Sequence, residues 1–168
     1  MKNAISRGNE CSHNRCPRAF FYSAEQENTC GCRVLICMDE KLQFLISWNR
    51  GTCSNILAEA RALAGLLAFC VFFDIQAISI YGDSKSVIDH VNGALHIRSP
   101  YMEGWMDMIM FLWGISRKCF IQHICRAQNL QADCLSKQGL ILGTGSWSME
   151  VKEGENSCFV QDFFIPGY

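Results

Sequence analysis

Three acidic residues stand where a carboxylate is costly to keep without a use. Asp83 follows the apolar run Ala77-Ile78-Ser79-Ile80-Tyr81 in the stretch Tyr81-Gly82-Asp83-Ser84-Lys85-Ser86. An acid at the carboxyl end of a buried strand points into the crevice where open α/β sheets bind ligands. Glu59 lies within Leu57-Ala58-Glu59-Ala60-Arg61-Ala62-Leu63, and Asp133 within Asn129-Leu130-Gln131-Ala132-Asp133-Cys134-Leu135-Ser136-Lys137. Each has an ordinary reading by itself: an exposed helical glutamate, a helix N-cap and a solvated helical acid. Together they suggest one hard-cation site, because clustered carboxylates repel unless a cation or proton compensates. Magnesium takes a few carboxylates plus substrate phosphates. A pair of such ions can activate water and stabilise both the attacking and the leaving oxygen in phosphodiester hydrolysis.

The elements that would position these acids can be read from hydrophobic patterning. Phe20-Phe21-Tyr22 begins a strand. Cys32 to Met38 and Leu42 to Trp48 are strand-sized apolar runs, with Asp39-Glu40-Lys41 as a hairpin turn between them. Ser54 or Asn55 caps a long helix from Ile56 to Phe73, with Leu57, Ala60, Ala64, Leu67, Ala68 and Val71 at helical spacing on one face. Ala77 to Tyr81 is a short buried strand. Ser84 to Leu95 follows as a helix with Val87, Ile88 and Val91 inward. Met102, Trp105, Met106, Ile109, Met110 and Trp113 step by three and four along the next helix. A strand over Cys119 to Ile124 leads into a helix from about Gln128 to Gln138, and two short strand candidates flank Glu153-Gly154-Glu155-Asn156. Three successive strands followed by βα alternation imply a mixed sheet flanked by helices.

The 168 residues suffice for one domain with a proper core. We divide the chain into a polar arm over 1–18, a domain over 19–140 and a tail over 141–168. Hydrophobic residues make up 49% and charged residues 18% of the chain, the balance of a globular protein. With a net charge of −1, the chain lacks the strong positive charge that non-specific duplex binding draws on. The longest apolar run, Ala62 to Phe73, is too short to span a bilayer. Eleven cysteines, several in apolar runs (Cys37, Cys70, Cys119), behave as small hydrophobes. With no leader-like segment before them, they read as reduced thiols in a cytoplasmic or nuclear protein with no membrane partner. Cys11, His13, Cys16, Cys30 and Cys32 have loosely ligand-like spacing, but no clear CxxC pair supports zinc.

The order of Leu-Ala-Glu-Ala-Arg-Ala-Leu, Gly-Asp-Ser-Lys and His-x-x-Arg-x-x-Asn-x-x-Ala-Asp-x-Leu-Ser-Lys resembles the ribonuclease H type 1 domain. More narrowly, it resembles the plant version found at the end of LINE-type retrotransposon polyproteins and as stand-alone genes. The match runs from about Cys30 to Leu140. It implies an α/β ribonuclease H-like fold, with a five-stranded mixed sheet and helices on both faces. It also implies endonucleolytic, magnesium-dependent (or manganese-dependent) cleavage of the RNA strand of an RNA–DNA hybrid. On this resemblance Glu59, Asp83 and Asp133 match three of the family's four metal-binding carboxylates. His123 matches a histidine that assists proton transfer and product release, and Asn129 an asparagine near the site. Ser54-Asn55 matches a polar pair that contacts the hybrid backbone. Ser84 and Lys85 would meet phosphate at a helix N-terminus.

The family's fourth carboxylate is an aspartate on the opening strand. Its best counterpart is Tyr22 in Phe20-Phe21-Tyr22-Ser23-Ala24, and Arg18 through Ala24 contains no acid. If instead Ser6-Arg7-Gly8-Asn9 follows that aspartate, the position precedes Ala4, where only Met1-Lys2-Asn3 stands. A phenol that is largely protonated at neutral pH does not replace a bridging carboxylate. The expectation is therefore a ribonuclease H-type domain with hydrolysis much reduced or absent. The alternative is a non-catalytic module that binds nucleic acid or protein through the same groove.

Overall fold

The computed structural model describes residues 16–26, 29–116, 118–125 and 142–164. Strands β1 (Arg18–Gln26), β2 (Thr29–Cys37) and β3 (Leu42–Thr52) form an antiparallel meander. The turn over Asp39-Glu40-Lys41 forms as expected. Asp39 Oδ1 accepts the Lys41 and Leu42 amides, both at 2.7 Å, the local side-chain-to-backbone pattern that fits aspartate to turns. Strand β4 (Ala77–Gly82) runs parallel to β1, and β5 (Lys118–His123) runs parallel to β4.

The sheet has seven strands, not five. Strands β6 (Ser146–Glu153) and β7 (Asn156–Phe164) extend it beyond β3, giving the order β5-β4-β1-β2-β3-β6-β7. The tail thus continues the sheet of the domain. Its two-residue turn begins at Gly154, whose φ of 63° suits a tight hairpin and is open to glycine at no steric cost. Pairing β6 with β3 also covers backbone groups that would otherwise form an exposed sheet edge. Asn49 pins the approach to β6 by donating to the Leu142 carbonyl at 2.8 Å and accepting the Gly145 amide on its own carbonyl at 2.8 Å.

One core joins the sheet to three helices, α1 (Asn55–Phe72), α2 (Lys85–Val91) and α3 (Glu103–Ile115). Phe21, Val34, Ile36, Ile78 and Ile80 of the strands meet Leu63, Leu66 and Leu67 of α1, with Ile88 and Ile109 alongside. Of the expected inward face of α1, Ala60, Ala64 and Leu67 are buried and Leu57 half-buried, while Ala68 and Val71 are exposed; the buried face extends instead over Glu59, Leu63, Leu66 and Cys70. Its alanines and Gly65 allow close approach to the sheet, since a Cβ on Gly65 would meet the Trp48 ring at 2.7 Å. By length and composition α1 could cross a bilayer, yet half of it is buried within the fold as a core helix.

Helix α2 stops at Val91, short of the expected Leu95. Gly93 takes a φ of 75° and donates to the His90 carbonyl at 3.0 Å, and Ala94 closes back on the Asp89 carbonyl at 2.8 Å. A glycine in the left-handed region is a common helix stop. Along α3, Met102, Met106 and Ile109 are buried and Trp105 and Trp113 half-buried, whereas Met110 faces solvent. The Arg61 guanidinium lies 5.3 Å from the Trp105 ring centroid, tying α1 to α3 by a cation–π contact. The helix expected over Gln128 to Gln138 lies outside the described residues.

The cysteines correct one expectation. Cys30 and Cys53 form a disulfide, with Cα atoms 5.8 Å apart, so the thiols are not all reduced. Cys70 is a buried thiol whose pKa is pushed up to about 12, chiefly by burial and then by Cys119. Burial also raises Cys37 and Cys119, so these three do behave as small hydrophobes.

Candidate functional site

The candidate site forms where β4 and β5 end side by side against β1, which runs on to Gln26. Phe21 pairs with Gly82, and Gly82 pairs with His123, so the three positions lie across adjacent strands. Asp83 follows Gly82 directly, placing its carboxylate at the carboxyl edge of the sheet, where α/β folds bind ligands. Gly82 is required by its neighbour. A Cβ there would fall 2.2 to 2.8 Å from atoms of the Phe21 ring, so glycine lets β4 and β1 lie together beneath Asp83.

Glu59 rises into this edge from the second turn of α1 and is only 7% exposed. The residue of β1 that faces it is Ser23. The Ser23 hydroxyl sits 2.8 Å from Asn55 Oδ1 and 3.3 Å from Glu59 Oε1, and Asn55 Nδ2 donates to the same Glu59 oxygen at 3.4 Å. A hydroxyl has one proton to give, and the shorter distance directs it to Asn55. Asn55 in turn uses its amide hydrogens on Glu59, so the carboxylate is held by neutral donors.

Tyr22, the residue expected to stand for the opening-strand aspartate, does not face Glu59. Successive strand residues point to opposite faces, and Tyr22 lies across from Arg33 on the face away from α1. Its phenol is buried and stacks with Phe20 at 6.4 Å between ring centroids. Burial raises its pKa well above the usual phenol range. Cys37 and then the Asp83 carboxylate add to that shift, while Arg33 opposes it. A protonated Tyr22 thus borders Asp83 without facing Glu59. No acid stands from Arg18 to Ala24, and the β1 side chain that reaches Glu59 is Ser23. The missed signal is the alternation Ala19, Phe21, Ser23, whose first two members are fully buried.

Ser54 and Asn55 are exposed at the start of α1, with Ser54 in the N-cap position but making no side-chain capping bond. Ser84, not Asp83, is the N-cap of α2. Ser84 is 7% exposed, and Lys85, though solvent-facing, is ion-paired with Asp89 at 2.6 Å. His123 is exposed at the end of β5. Asp133 and Asn129 lie outside the described residues. Among the described residues, no three His, Cys, Asp or Glu side chains are grouped to hold a metal ion. Of the residues considered for zinc, Cys11 and His13 also fall outside, Cys30 is in the disulfide, and Cys32 Sγ donates to the Ala58 carbonyl at 3.2 Å.

Residues 21–139 match the family model described as reverse transcriptase-like. The chain belongs to that family. A comparison with curated proteins finds no matching relative. Among solved structures, the chain is similar to RNase H1 from the halophilic archaeon Halobacterium salinarum, at 23% identity and a TM-score of 0.66, covering 74% of this chain and 97% of that one. It is also similar to LC11-RNase H1 in complex with RNA/DNA hybrid, at 19% identity and a TM-score of 0.66, covering 74% and 96%. The protease–reverse transcriptase of prototype foamy virus matches at 15% identity and a TM-score of 0.58, covering 78% of this chain and 22% of that longer one. These likenesses give the fold of this family member as RNase H-like, a mixed α/β sheet with helices. The family match starts at Phe21, so the part of β1 from Phe21 to Gln26 lies inside it.

Proposed function

We propose that this family member binds RNA–DNA hybrids along the carboxyl edge of β1, β4 and β5, with hydrolysis of the RNA strand reduced to a trace or lost. The observation that carries the reading is that the β1 side chain facing Glu59 is the hydroxyl of Ser23, on a strand stretch from Arg18 to Ala24 that contains no acid where the resemblance calls for an aspartate. The fold likeness to RNase H1 proteins, one of them in complex with RNA/DNA hybrid, supports the hybrid as ligand. The exposed Ser54 and Asn55 and the exposed His123 line the same edge and supply polar groups suited to 2′-hydroxyl and phosphate contacts.

Magnesium or manganese would be held by Glu59, Asp83 and Asp133 and would supply Lewis-acid activation of water. The described residues do not fit a two-ion site. The β1 side chain beside Glu59 is an uncharged serine hydroxyl rather than a carboxylate, and a hydrogen-bonded side chain already occupies Glu59 Oε1. What the chain's own residues do is position: Asn55 orients Glu59, Ser23 orients Asn55, and Gly82 sets the height of Asp83.

The deciding experiment measures binding and cleavage of a labelled RNA–DNA hybrid in magnesium, in manganese and in chelator. The wild type, Ser23→Asp and Asp133→Asn are compared. The expected result is hybrid binding by all three, with cleavage appearing or rising at least tenfold in Ser23→Asp. Robust wild-type cleavage that Asp133→Asn abolishes would establish an active three-carboxylate nuclease instead. No binding by folded wild type would remove the hybrid as ligand.

A further inference from the structure

The first turn of α1, which carries Asn55 and leads directly to Glu59, is tied to β2 by the Cys30–Cys53 pair. Cys53 directly precedes Ser54 in the short link between β3 and α1. Cys30 is the second residue of β2 and lies opposite Glu25 of β1. The bond therefore fastens the link to the part of the sheet that carries Ser23. Cα atoms 5.8 Å apart lie within the range a disulfide spans without backbone movement.

The same geometry also accommodates the reduced pair. Cys30 Sγ lies 2.8 Å from the Cys53 carbonyl oxygen, so a Cys30 thiol has an acceptor in place, with the Ser54 carbonyl next at 4.0 Å. Cys30 is fully buried while Cys53 is half-buried, so Cys53 is the sulfur an external reagent reaches. The ladder beside the pair is irregular: the β2–β3 register shifts between Thr29 and Gly31, and Gly51 adopts a φ of 69°. The link thus depends on few regular backbone bonds at the point where the sulfurs meet.

We infer that Cys30 and Cys53 form a reversible thiol–disulfide switch that sets how firmly the first turn of α1 is held. The oxidant is a low-molecular-weight disulfide such as glutathione disulfide. The Cys53 thiolate attacks one of its sulfurs and releases one glutathione thiolate. The Cys30 thiolate then attacks Cys53 Sγ of the mixed disulfide and releases the second. The two protein thiol protons end on the two released thiols, and reduction is the reverse. This inference goes beyond the hybrid reading and does not require it.

The test equilibrates the full chain in glutathione buffers from fully reduced to fully oxidised. Alkylation and peptide mass spectrometry identify the bonded cysteines, and amide hydrogen exchange follows Thr52 to Ala60. The expected result is a Cys30–Cys53 peptide that appears and disappears reversibly, with exchange across the segment at least fivefold slower when oxidised. Cys53→Ser, followed in the same buffers, should exchange like the reduced wild type at every poise. Failure of folded protein to form the Cys30–Cys53 bond, or formation with unchanged exchange, overturns the inference. So does oxidant-dependent protection that persists in Cys53→Ser. Hybrid binding is measured separately, so its absence would count against the proposed ligand and leave the switch standing.

Discussion

Replacing Ser23 with aspartate gives the sharpest reading of the site, because its effect should change with metal. The Ser23 hydroxyl lies 3.3 Å from Glu59 Oε1, so a carboxylate there would bring a second negative charge to within about the same distance. Two unit charges that close interact by about 5 kcal/mol at an effective dielectric constant of 20. Proton uptake limits the penalty. Holding one carboxyl protonated at pH 7, against a normal glutamate value near 4.3, costs about 3.7 kcal/mol at 1.36 kcal/mol per pH unit. Ser23 is half-buried, and solvent screening reduces the figure further, so about 2–3 kcal/mol is expected in chelator. At roughly 2–4 °C per kcal/mol for a domain of this size, the midpoint should fall by roughly 4–12 °C. A divalent ion that binds the new carboxylate pair stabilises the folded state by about 2.7 kcal/mol at one hundred times its Kd. Thermal unfolding with and without magnesium, on wild type, Ser23→Asp and the uncharged Ser23→Asn, checks this. The aspartate variant should be the least stable in chelator and show the largest recovery in magnesium, while the asparagine variant shows neither. Equal midpoints for Ser23→Asp and Ser23→Asn under both conditions would refute the placement of Ser23 against Glu59.

Gly82→Ala should destabilise by about 1–3 kcal/mol, the usual cost of overpacking, because its Cβ meets the Phe21 ring; urea unfolding measures it, and Phe21→Leu should relieve part of the loss. His90 accepts the Ile97 amide on Nδ1 at 3.0 Å, and burial followed by His96 lowers its pKa while Asp107 opposes. Because the folded pKa is depressed, the unfolded chain binds the extra proton. Stability from this group is complete above about pH 6.5 and falls as pH drops towards the folded value. Unfolding midpoints across pH 5 to 8 should show that slope in wild type and a flatter one in His90→Asn. Asp39→Ala should weaken the β2–β3 hairpin by removing two amide acceptors. The carboxyl of Asp39 is held below its usual range by the Leu42 and Lys41 amides, so wild type should lose that contribution in acid while the variant does not. A chain ending before Ser146 should expose the edge of β3 and aggregate at concentrations where the full chain stays monodisperse by light scattering.

Much of the architecture is legible in the residues, for reasons that also explain what is not. The β2–β3 hairpin is plain because two apolar runs flank a turn whose aspartate has a defined hydrogen-bonding role. The α1 and β4 positions follow from period and from the abrupt change at Gly82-Asp83. The face of β1 is harder to read. Phe20, Phe21 and Tyr22 are all apolar-bodied, so alternation does not separate core from far side, and a one-residue slip exchanges Tyr22 for Ser23. The tail contains strand-like segments, but what they pair with depends on β3, about a hundred residues earlier. The end of α2 is not legible from pattern alone because the Asn92-Gly93 stop lies inside a run that otherwise stays compatible with helix. Disulfide connectivity among eleven cysteines is not encoded in their spacing, so the Cys30–Cys53 pair comes only from the fold.

The serine at this position has a consequence for binding as well as for hydrolysis. A hybrid brings phosphates to an edge already lined by Glu59 and Asp83, and a chain of net charge −1 has little long-range attraction to offset them. An aspartate at Ser23 would add a further negative charge that only bound cations could neutralise. With serine there, Asn55 and Ser23 form a neutral hydrogen-bonded chain that holds one Glu59 oxygen without an ion. On the proposed reading, hybrid affinity of the wild type should therefore depend less on divalent ions than that of Ser23→Asp. The substitution that removes the bridging ligand also reduces the repulsion the ions would otherwise have to cancel. Loss of cleavage and retention of binding are thus both expected from the same exchange of a carboxylate for a hydroxyl.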